Sequence, residues 1–279
     1  TDITELKSRE AELDSANAKV TALNEKLTSD NLRMEGELDV TRRLQLMLQP
    51  THDELQRIEG LDIACFMQPA LEIGGDYYDV LQHEGRVKIG IGDVTGHGLE
   101  SGVVMLMTQA IVRALLISGE TDHVRYLSVL NAALHGNVQR MGSDKNLTLS
   151  LLDYADGEIR LSGQHEQMIV VRRDRSVELV DTIDLGFPIG LEVDMSRFID
   201  QTTVQLQSGD GVVLYTDGVT EAENLEREQY GMQRLVDVLA KNWDQTAESI
   251  KTAIVSDVQR YIGTQTVYDD ITLIVAKQT

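Results

Sequence analysis

Four short acidic motifs hold the side chains of this chain that are best suited to chemistry. They read Gly-Gly-Asp-Tyr-Tyr-Asp at 74–79, Gly-Asp-Val-Thr-Gly-His-Gly at 92–98, Tyr-Thr-Asp-Gly at 215–218 and Tyr-Asp-Asp-Ile-Thr at 268–272. Each lies where an apolar pattern meets a turn signal. Taken singly, each motif is explained as an ordinary turn, because Asp-Gly and Gly-Gly-Asp sequences are common turn formers.

Taken together, the motifs indicate a cation site. Apolar β-patterns run directly into Asp93 and Asp217, and another follows Asp270. Strands that are buried on one face deliver their terminal side chains to one edge of a sheet. Carboxylates that converge there repel one another, and their pKa values rise unless cations occupy the site. Hard oxygen ligands select Mg²⁺, Mn²⁺ or Ca²⁺, and two such ions can activate a water and bind a phosphoryl oxygen.

Short apolar runs and longer helical patterns predict the elements that position these acids. Ten strands are predicted, over 61–68, 76–81, 86–92, 146–153, 158–162, 167–172, 177–181, 202–206, 211–216 and 270–276. Four helices are predicted, over 97–118, 123–140, 230–241 and 246–262. Since strands come in runs and helices in pairs, the pattern favours an α+β fold with helices packed on sheets.

Residues 1–50 have a different character, with no proline before Pro50 and a seven-residue repeat of mostly apolar residues. The repeat runs through Leu6, Leu13, Val20, Leu27, Met34, Thr41 and Leu48, of which Thr41 is polar. Such a period keeps one apolar stripe along a helix and favours a left-handed coiled coil. Because the second seam is imperfect, a solvated helix packed on another domain stays open. Pro50 is expected to end the helix.

Charge and cysteine content disfavour some kinds of binding partner and exclude a disulfide. The 279 residues carry 46 Asp and Glu against 25 Lys and Arg, a formal charge of −21, which disfavours binding to nucleic acid or to an anionic membrane. The single cysteine, Cys65, excludes an intrachain disulfide and is interpreted as a core residue rather than a nucleophile. With no signal sequence and no long apolar run, a cytoplasmic location is expected. Since the first residue is Thr, a longer parent chain is also expected.

In this order and at this spacing, the four motifs resemble the signature of bacterial PPM-type (PP2C-like) serine/threonine phosphatases. The nearest branch is the one named for the sporulation stage II E and sigma-factor regulatory phosphatases (SpoIIE/RsbU). The resemblance extends from about residue 55 to the end, and Gly-Phe-Pro-Ile-Gly at 186–190 also resembles a loop of this branch. It implies an α-β-β-α sandwich over 51–279. The helix that the seven-residue repeat predicts over 1–50 would precede it as a linker and dimerisation segment.

The resemblance also implies a set of metal ligands, carried over residue by residue. Asp93 would bridge two divalent cations, Mn²⁺ or Mg²⁺, and the Val94 carbonyl would bind the second of them. Asp76 would serve that second ion, directly or through water. Asp217 and Asp269 would hold the first ion, with Asp270 as the alternative to Asp269. Asp76, Asp93, Asp217 and Asp269 are therefore the predicted catalytic residues.

Two departures concern contacts with substrate. There is no arginine just before the first motif, where animal relatives place a phosphate clamp, so phosphate contact would fall mostly to the metals. Ser-Gly-Gln-His-Glu at 162–166 resembles an Ala-Gly-His segment of the family but carries an inserted Gln, which weakens the case for a substrate role of His165. His97 is interpreted as a structural residue in a glycine-flanked turn rather than as a general acid.

Three functions account for some or all of these motifs. The first is a phosphatase acting on phosphoserine or phosphothreonine of a regulatory protein, in this branch typically an anti-sigma-factor antagonist, with the N-terminal helix forming a homodimer and relaying a signal from an upstream sensor or receiver domain. The second is a catalytically silent dimeric scaffold, which the full set of acids disfavours. The third, a nucleotide cyclase suggested by Gly-Gly-Asp at 74–76, leaves the other three motifs unexplained.

Overall fold

Two antiparallel five-stranded sheets form the centre of the molecule. The structure, a computed structural model, describes residues 13, 16–28, 43, 45–70 and 74–279. The strands of this part are β1 (Leu61–Gln68), β2 (Asp76–His83), β3 (Arg86–Val94), β4 (Leu147–Ala155), β5 (Glu158–Ser162), β6 (Met168–Val171), β7 (Val177–Val180), β8 (Gln201–Gln205), β9 (Gly211–Tyr215) and β10 (Ile271–Gln278). Their order is β1-β10-β9-β6-β7 in the first sheet and β2-β3-β4-β5-β8 in the second.

Helices cover the outer face of each sheet. Within the described residues they are α1 (His52–Gln56), α2 (Leu99–Ile117), α3 (His123–Met141), α4 (Asp217–Thr220), α5 (Met232–Asn242) and α6 (Ala247–Ile262), with a 3₁₀ turn at Ser196–Phe198. The pair α2 and α3 packs on the second sheet, and the pair α5 and α6 packs on the first. The predicted α-β-β-α layering is therefore confirmed.

Alternating side chains divide the apolar residues among three cores. In β3, for example, Ile89 and Ile91 point between the sheets, where they join Leu152, Val212 and Ile274. Such alternation follows from the two-residue period of a strand. The outer cores lie under the helices, with Trp243 beneath the first sheet and Leu130 beneath the second. Both faces of each sheet are thus covered, which explains why several strands read as continuous apolar runs.

Helix α2 is the one helix of the described residues that is long and apolar enough by composition to cross a membrane, with a mean hydropathy of 1.5 over its window. Its apolar residues have a different use in this fold. Val104 and Val112 are buried against the second sheet and α3. The composition of α2 is therefore that of a core helix.

The predicted elements agree with the structure to within two residues at every end, and all ten strands are present. The sequence patterns missed the short helices α1 and α4, which are too brief to show a helical period. Helix α1 nevertheless carries a local signal, since Thr51 and Glu54 form a capping box. Cys65 packs against the core between the sheets, and burial raises the pKa of its thiol to about 12, in agreement with its interpretation as a core residue.

The N-terminal segment is described only in part. Residues 16–28 and 45–48 are helical, and the latter stretch ends before Pro50 as expected. Leu13, Val20 and Leu27 of the seven-residue repeat are exposed, whereas Leu6, Met34 and Thr41 lie outside the described residues. The coiled coil thus stays a prediction.

Strand register brings the four acidic motifs to one edge of the sandwich. Antiparallel pairing of β2 with β3 places Asp76 opposite Asp93. In the first sheet, β9 ends beside the start of β10, with Tyr215 opposite Leu273. The motifs at 215–218 and 268–272, which flank these two strand ends, therefore lie next to each other at one edge of the first sheet. Hydrogen bonds between the sheets join this edge to Asp76.

Candidate metal centre

Asp76 links the two sheets at the acidic edge. Its side chain is 2% exposed, and its Oδ2 accepts hydrogen bonds from Thr216 Oγ1, at 2.9 Å, and from Thr272 Oγ1. Thr216 follows β9 and Thr272 belongs to β10, so both donors come from the opposite sheet. These bonds hold one carboxylate oxygen of Asp76 in place.

Asp270 binds backbone amides instead of facing an open space. Its Oδ1 accepts from the Ala70 amide at 2.8 Å, and its Oδ2 accepts from the Gly75 and Asp76 amides at 2.6 and 3.3 Å. The side chain is 6% exposed. Asp270 therefore fastens the segment that carries Asp76 to the start of β10, and its oxygens are already engaged.

Asp269 and Asp217 have fewer contacts. Asp269 is exposed, and its Oδ1 accepts the Asp270 amide at 2.8 Å, which leaves Oδ2 without a partner among the described residues. Asp217 begins α4 directly after β9 and is partly exposed. Of the two neighbouring acids at 269 and 270, Asp269 is thus the one with an oxygen available to a cation.

Gly75 allows three oxygens to converge beside Asp93. A methyl group at Gly75 would lie 2.8 Å from the Val94 carbonyl oxygen, 3.1 Å from the Gly96 carbonyl oxygen and 3.2 Å from Asp93 Oδ1. All three distances are shorter than a comfortable carbon contact. The absence of a side chain at Gly75 therefore keeps this group of backbone and carboxylate oxygens together.

Electrostatic crowding raises the pKa values of the acids at this edge. The pKa of Asp93 rises to about 8 because the group is buried and because Asp217, Asp269 and Asp270 lie nearby. Burial, followed by the charge of Asp270, raises the pKa of Asp76 well above its usual range. The pKa values of Asp217 and Asp269 are also raised, first by desolvation and then by neighbouring acids. A site of this kind favours cations, since a cation removes the repulsion.

The donor set fits divalent cations. It consists of carboxylate oxygens and the Val94 carbonyl, and hard oxygen ligands of this type suit Mg²⁺ and Mn²⁺. Among the described residues, no three acidic, histidine or cysteine side chains are arranged to hold an ion by themselves. Mg²⁺ usually retains several waters and takes only one or two carboxylates, so pairs of aspartates with a carbonyl meet its requirements.

The two histidines named from the sequence differ in their surroundings. His97 is exposed in the turn before α2, and its charge opposes the rise in the pKa of Asp269. His165 is close to Thr148, with its Nδ1 2.9 Å from Thr148 Oγ1, and burial lowers its pKa to about 4. His165 is therefore neutral at physiological pH, and it lies between Thr148 of β4 and the backbone of Tyr215.

Sequence reasoning missed the residues that support the acids. Thr216 and Thr272 both lie inside the recognised motifs, but a threonine next to an aspartate carries no signal that its hydroxyl reaches across to another sheet. The binding of Asp270 to three backbone amides also has no local signal, because the three donors are 194 to 200 residues away along the chain.

Substitution of the two neighbouring aspartates separates a cation ligand from a structural acid. We expect Asp270→Asn to lower the free energy of unfolding of the metal-free protein by about 1–3 kcal/mol, because an amide is a poorer acceptor for three N–H groups. Asp269→Asn should change it by less than about 0.5 kcal/mol while weakening Mn²⁺ binding at least about tenfold. Urea unfolding and calorimetric Mn²⁺ titration measure the two effects. Unchanged Mn²⁺ affinity in Asp269→Asn would show that this residue is not a ligand.

Mn²⁺ affinity should rise with pH up to about 8. Below this value Asp93 holds a proton that the cation must displace, so affinity should fall about tenfold for each pH unit below the pKa. The free energy of unfolding of the metal-free protein should instead fall as the pH rises from about 4 to 8, because folded Asp93 keeps a proton that the unfolded chain releases. Titrations with Mn²⁺ at several pH values measure the slope.

Asp79 supplies the matched control for this pH dependence. It is a buried aspartate of the neighbouring strand β2 whose pKa rises to about 6, chiefly through burial, and its carboxylate accepts from Gln109 of α2 on the helix side of the sheet. Asp79→Asn should keep the slope of Mn²⁺ affinity between pH 6.5 and 8. A flat profile in the wild-type protein would contradict the role given to Asp93.

Comparisons with known proteins identify a matching family and related proteins. The profile of the family described as Stage II sporulation protein E (SpoIIE) matches residues 83–279. Phosphoserine phosphatase RsbU from Bacillus subtilis is 25% identical over 253 residues, which are 88% of this chain and 71% of that protein. Protein IcfG from Synechocystis sp. is 24% identical over 270 residues, but these span 85% of this chain and only 41% of that protein.

Solved structures share the fold. The SiaA-PP2C domain of Pseudomonas aeruginosa superposes with a TM-score of 0.75 at 19% identity, covering 89% of this chain and 98% of that domain. RsbX in complex with magnesium superposes with a TM-score of 0.57 at 12% identity, covering 79% of this chain and 96% of RsbX. Because the family profile matches residues 83–279, which are most of this chain, the chain belongs to the SpoIIE family and is a PP2C-type phosphatase.

Proposed function

We propose that this protein is a metal-dependent serine/threonine phosphatase that removes phosphate from a regulatory phosphoprotein. The observation that carries this proposal is the convergence of Asp76, Asp93, Asp217 and Asp269 at one edge of the sandwich, with the pKa of Asp93 raised to about 8. A pocket of unneutralised acids has little use as a binding site for a phosphate, which is itself an anion. Together with divalent cations, the same acids become a phosphate-binding centre.

The roles of the chain's residues follow from their contacts. Two cations, Mn²⁺ or Mg²⁺, would be held by Asp93, Asp217, Asp269 and the Val94 carbonyl. Asp76 would bind the same cation as the Val94 carbonyl, directly or through water. When bound, such ions supply an activated water and neutralise charge on the phosphoryl oxygens. Thr216 and Thr272 orient Asp76, while Asp270 holds the segment before β2.

The proposed substrate is an anti-sigma-factor antagonist phosphorylated on serine or threonine. Support comes from the similarity to the phosphoserine phosphatase RsbU and from the resemblance of the motifs to that branch. An antagonist of this kind would act in a partner-switching pathway, in which dephosphorylation changes which protein the antagonist binds. The scaffold alternative has no observation in its favour, since every acid of the motifs is present.

Hydrolysis of p-nitrophenyl phosphate and of a phosphoserine peptide tests this proposal. We expect activity with Mn²⁺ that is lost on chelation and that falls by at least about a thousandfold in Asp93→Asn and in Asp217→Asn, because loss of a metal-centre ligand removes several kcal/mol of transition-state stabilisation. Glu59→Gln, at an exposed acid in the turn before β1, is the control and should retain full activity. Activity that survives both chelation and the two substitutions would refute the assignment.

For the N-terminal segment we propose a two-stranded coiled-coil dimer, formed by residues 1–50, that relays a signal from an upstream sensor or receiver domain to the catalytic domain of residues 51–279. The exposure of Leu13, Val20 and Leu27 supports it, because an unpartnered apolar stripe favours association. We also propose a cytoplasmic location, as is suitable for a phosphoprotein substrate in the cytoplasm.

Truncation tests the dimer. Removal of residues 1–44 spares Gln45, whose Nε2 donates to the Gly74 carbonyl at 2.8 Å beside the first acidic motif. We expect the full chain to be a dimer and the truncated chain a monomer in sedimentation equilibrium, with basal p-nitrophenyl phosphate hydrolysis retained. A full chain that stays monomeric at all concentrations would contradict the proposed coiled coil.

A further inference from the structure

Lys145 lies beside the second acidic motif because of strand register. Antiparallel pairing of β3 with β4 places Asp93 opposite Thr148 and Val94 opposite Leu147. The pairing continues past the strand ends, since the Thr95 amide donates to the Asn146 carbonyl at 2.9 Å. The next residue before Asn146 is Lys145, and its side chain reaches the loop that follows Val94.

The ammonium group of Lys145 is held at the edge of the metal centre. Its Nζ donates to the Thr95 carbonyl at 2.7 Å. A methyl group on Gly96 would lie 2.6 Å from this nitrogen, and Gly96 has a φ of +70°. Since the Gly96 carbonyl belongs to the oxygen group around Gly75, the ammonium contacts the same short loop that contributes to the centre.

Most of the hydrogen-bonding capacity of this ammonium is unused. A lysine has three N–H donors, and in the described residues only the bond to Thr95 engages one of them. No carboxylate among those residues forms an ion pair with Lys145, although the chain has 46 acidic residues. The side chain is partly exposed, so its remaining donors are accessible from solvent.

We infer that Lys145 binds the phosphoryl group of the substrate and the phosphate product. This inference rests on the proposed phosphatase function and names a residue that contacts its ligand. A phosphate dianion that approaches the clustered aspartates is repelled by them, and a fixed cation at the edge of the cluster offsets part of this repulsion. Lys145 thereby takes the place of the arginine clamp that the sequence lacks, so phosphate contact does not fall to the metals alone.

A purely structural role makes a different prediction. If Lys145 only supports the Thr95–Gly96 loop, its loss would displace the Val94 carbonyl and weaken Mn²⁺ binding. At saturating Mn²⁺, the KM for substrate and the inhibition constant of phosphate would then equal the wild-type values. The two roles thus differ in whether Mn²⁺ affinity or phosphate affinity changes.

The experiment compares wild type, Lys145→Ala and Lys145→Arg at saturating Mn²⁺. We expect Lys145→Ala to raise both the KM for p-nitrophenyl phosphate and the inhibition constant of inorganic phosphate about tenfold or more, as for other hydrogen bonds to charged groups. Mn²⁺ affinity, measured by calorimetry, should change less than about twofold, because the substitution leaves the proposed metal ligands unaltered. Lys145→Arg keeps the charge and should restore most of the phosphate affinity.

Arg86→Ala is the matched control for loss of one positive charge. Arg86 begins β3 at the end away from the acids, roughly 26 Å from Val94 at the usual rise per residue. It should leave both constants unchanged. Wild-type activity with unaltered phosphate inhibition in Lys145→Ala would overturn this inference alone, whereas a wild-type protein without Mn²⁺-dependent hydrolysis would overturn the proposed function and this inference together.

Discussion

Repulsion among the aspartates at one edge of the sandwich is the constraint on which the rest of this structure depends. Asp93 faces three other acids, and in the metal-free protein its pKa rises to about 8 because water is largely excluded there. Folding brings these groups together against their mutual repulsion. The two sheets with their helix layers provide the apolar burial that outweighs it.

The fold limits this repulsion by giving some acids a structural task. Asp270 accepts three backbone amides, so its charge is stabilised without a cation. Asp76 accepts two threonine hydroxyls from the other sheet. These contacts also make the geometry of the centre sensitive to the distance between the sheets. The remaining acids have free oxygens, and a division between supported and free carboxylates is what a cation site requires.

The loop after β3 combines several of these requirements within a few residues. Val94 ends the strand and directs its carbonyl towards Gly75, while Gly96 gives space to the Lys145 ammonium. Thr95 is bound to the segment before β4 through its amide. A single turn therefore places anionic and cationic groups side by side, the arrangement that the proposed recognition of phosphate requires.

The amino-acid sequence by itself determined an α+β fold, the ranges of the ten strands and four longer helices, and the four acidic motifs, because apolar periodicity and turn residues are local signals. Only the tertiary structure decided which of Asp269 and Asp270 keeps a free oxygen, since the amides that occupy Asp270 are distant in the chain. It likewise decided the position of Lys145, which reads as an ordinary loop lysine. Such pairings depend on strand register and on contact between the sheets, and no local pattern encodes either of them.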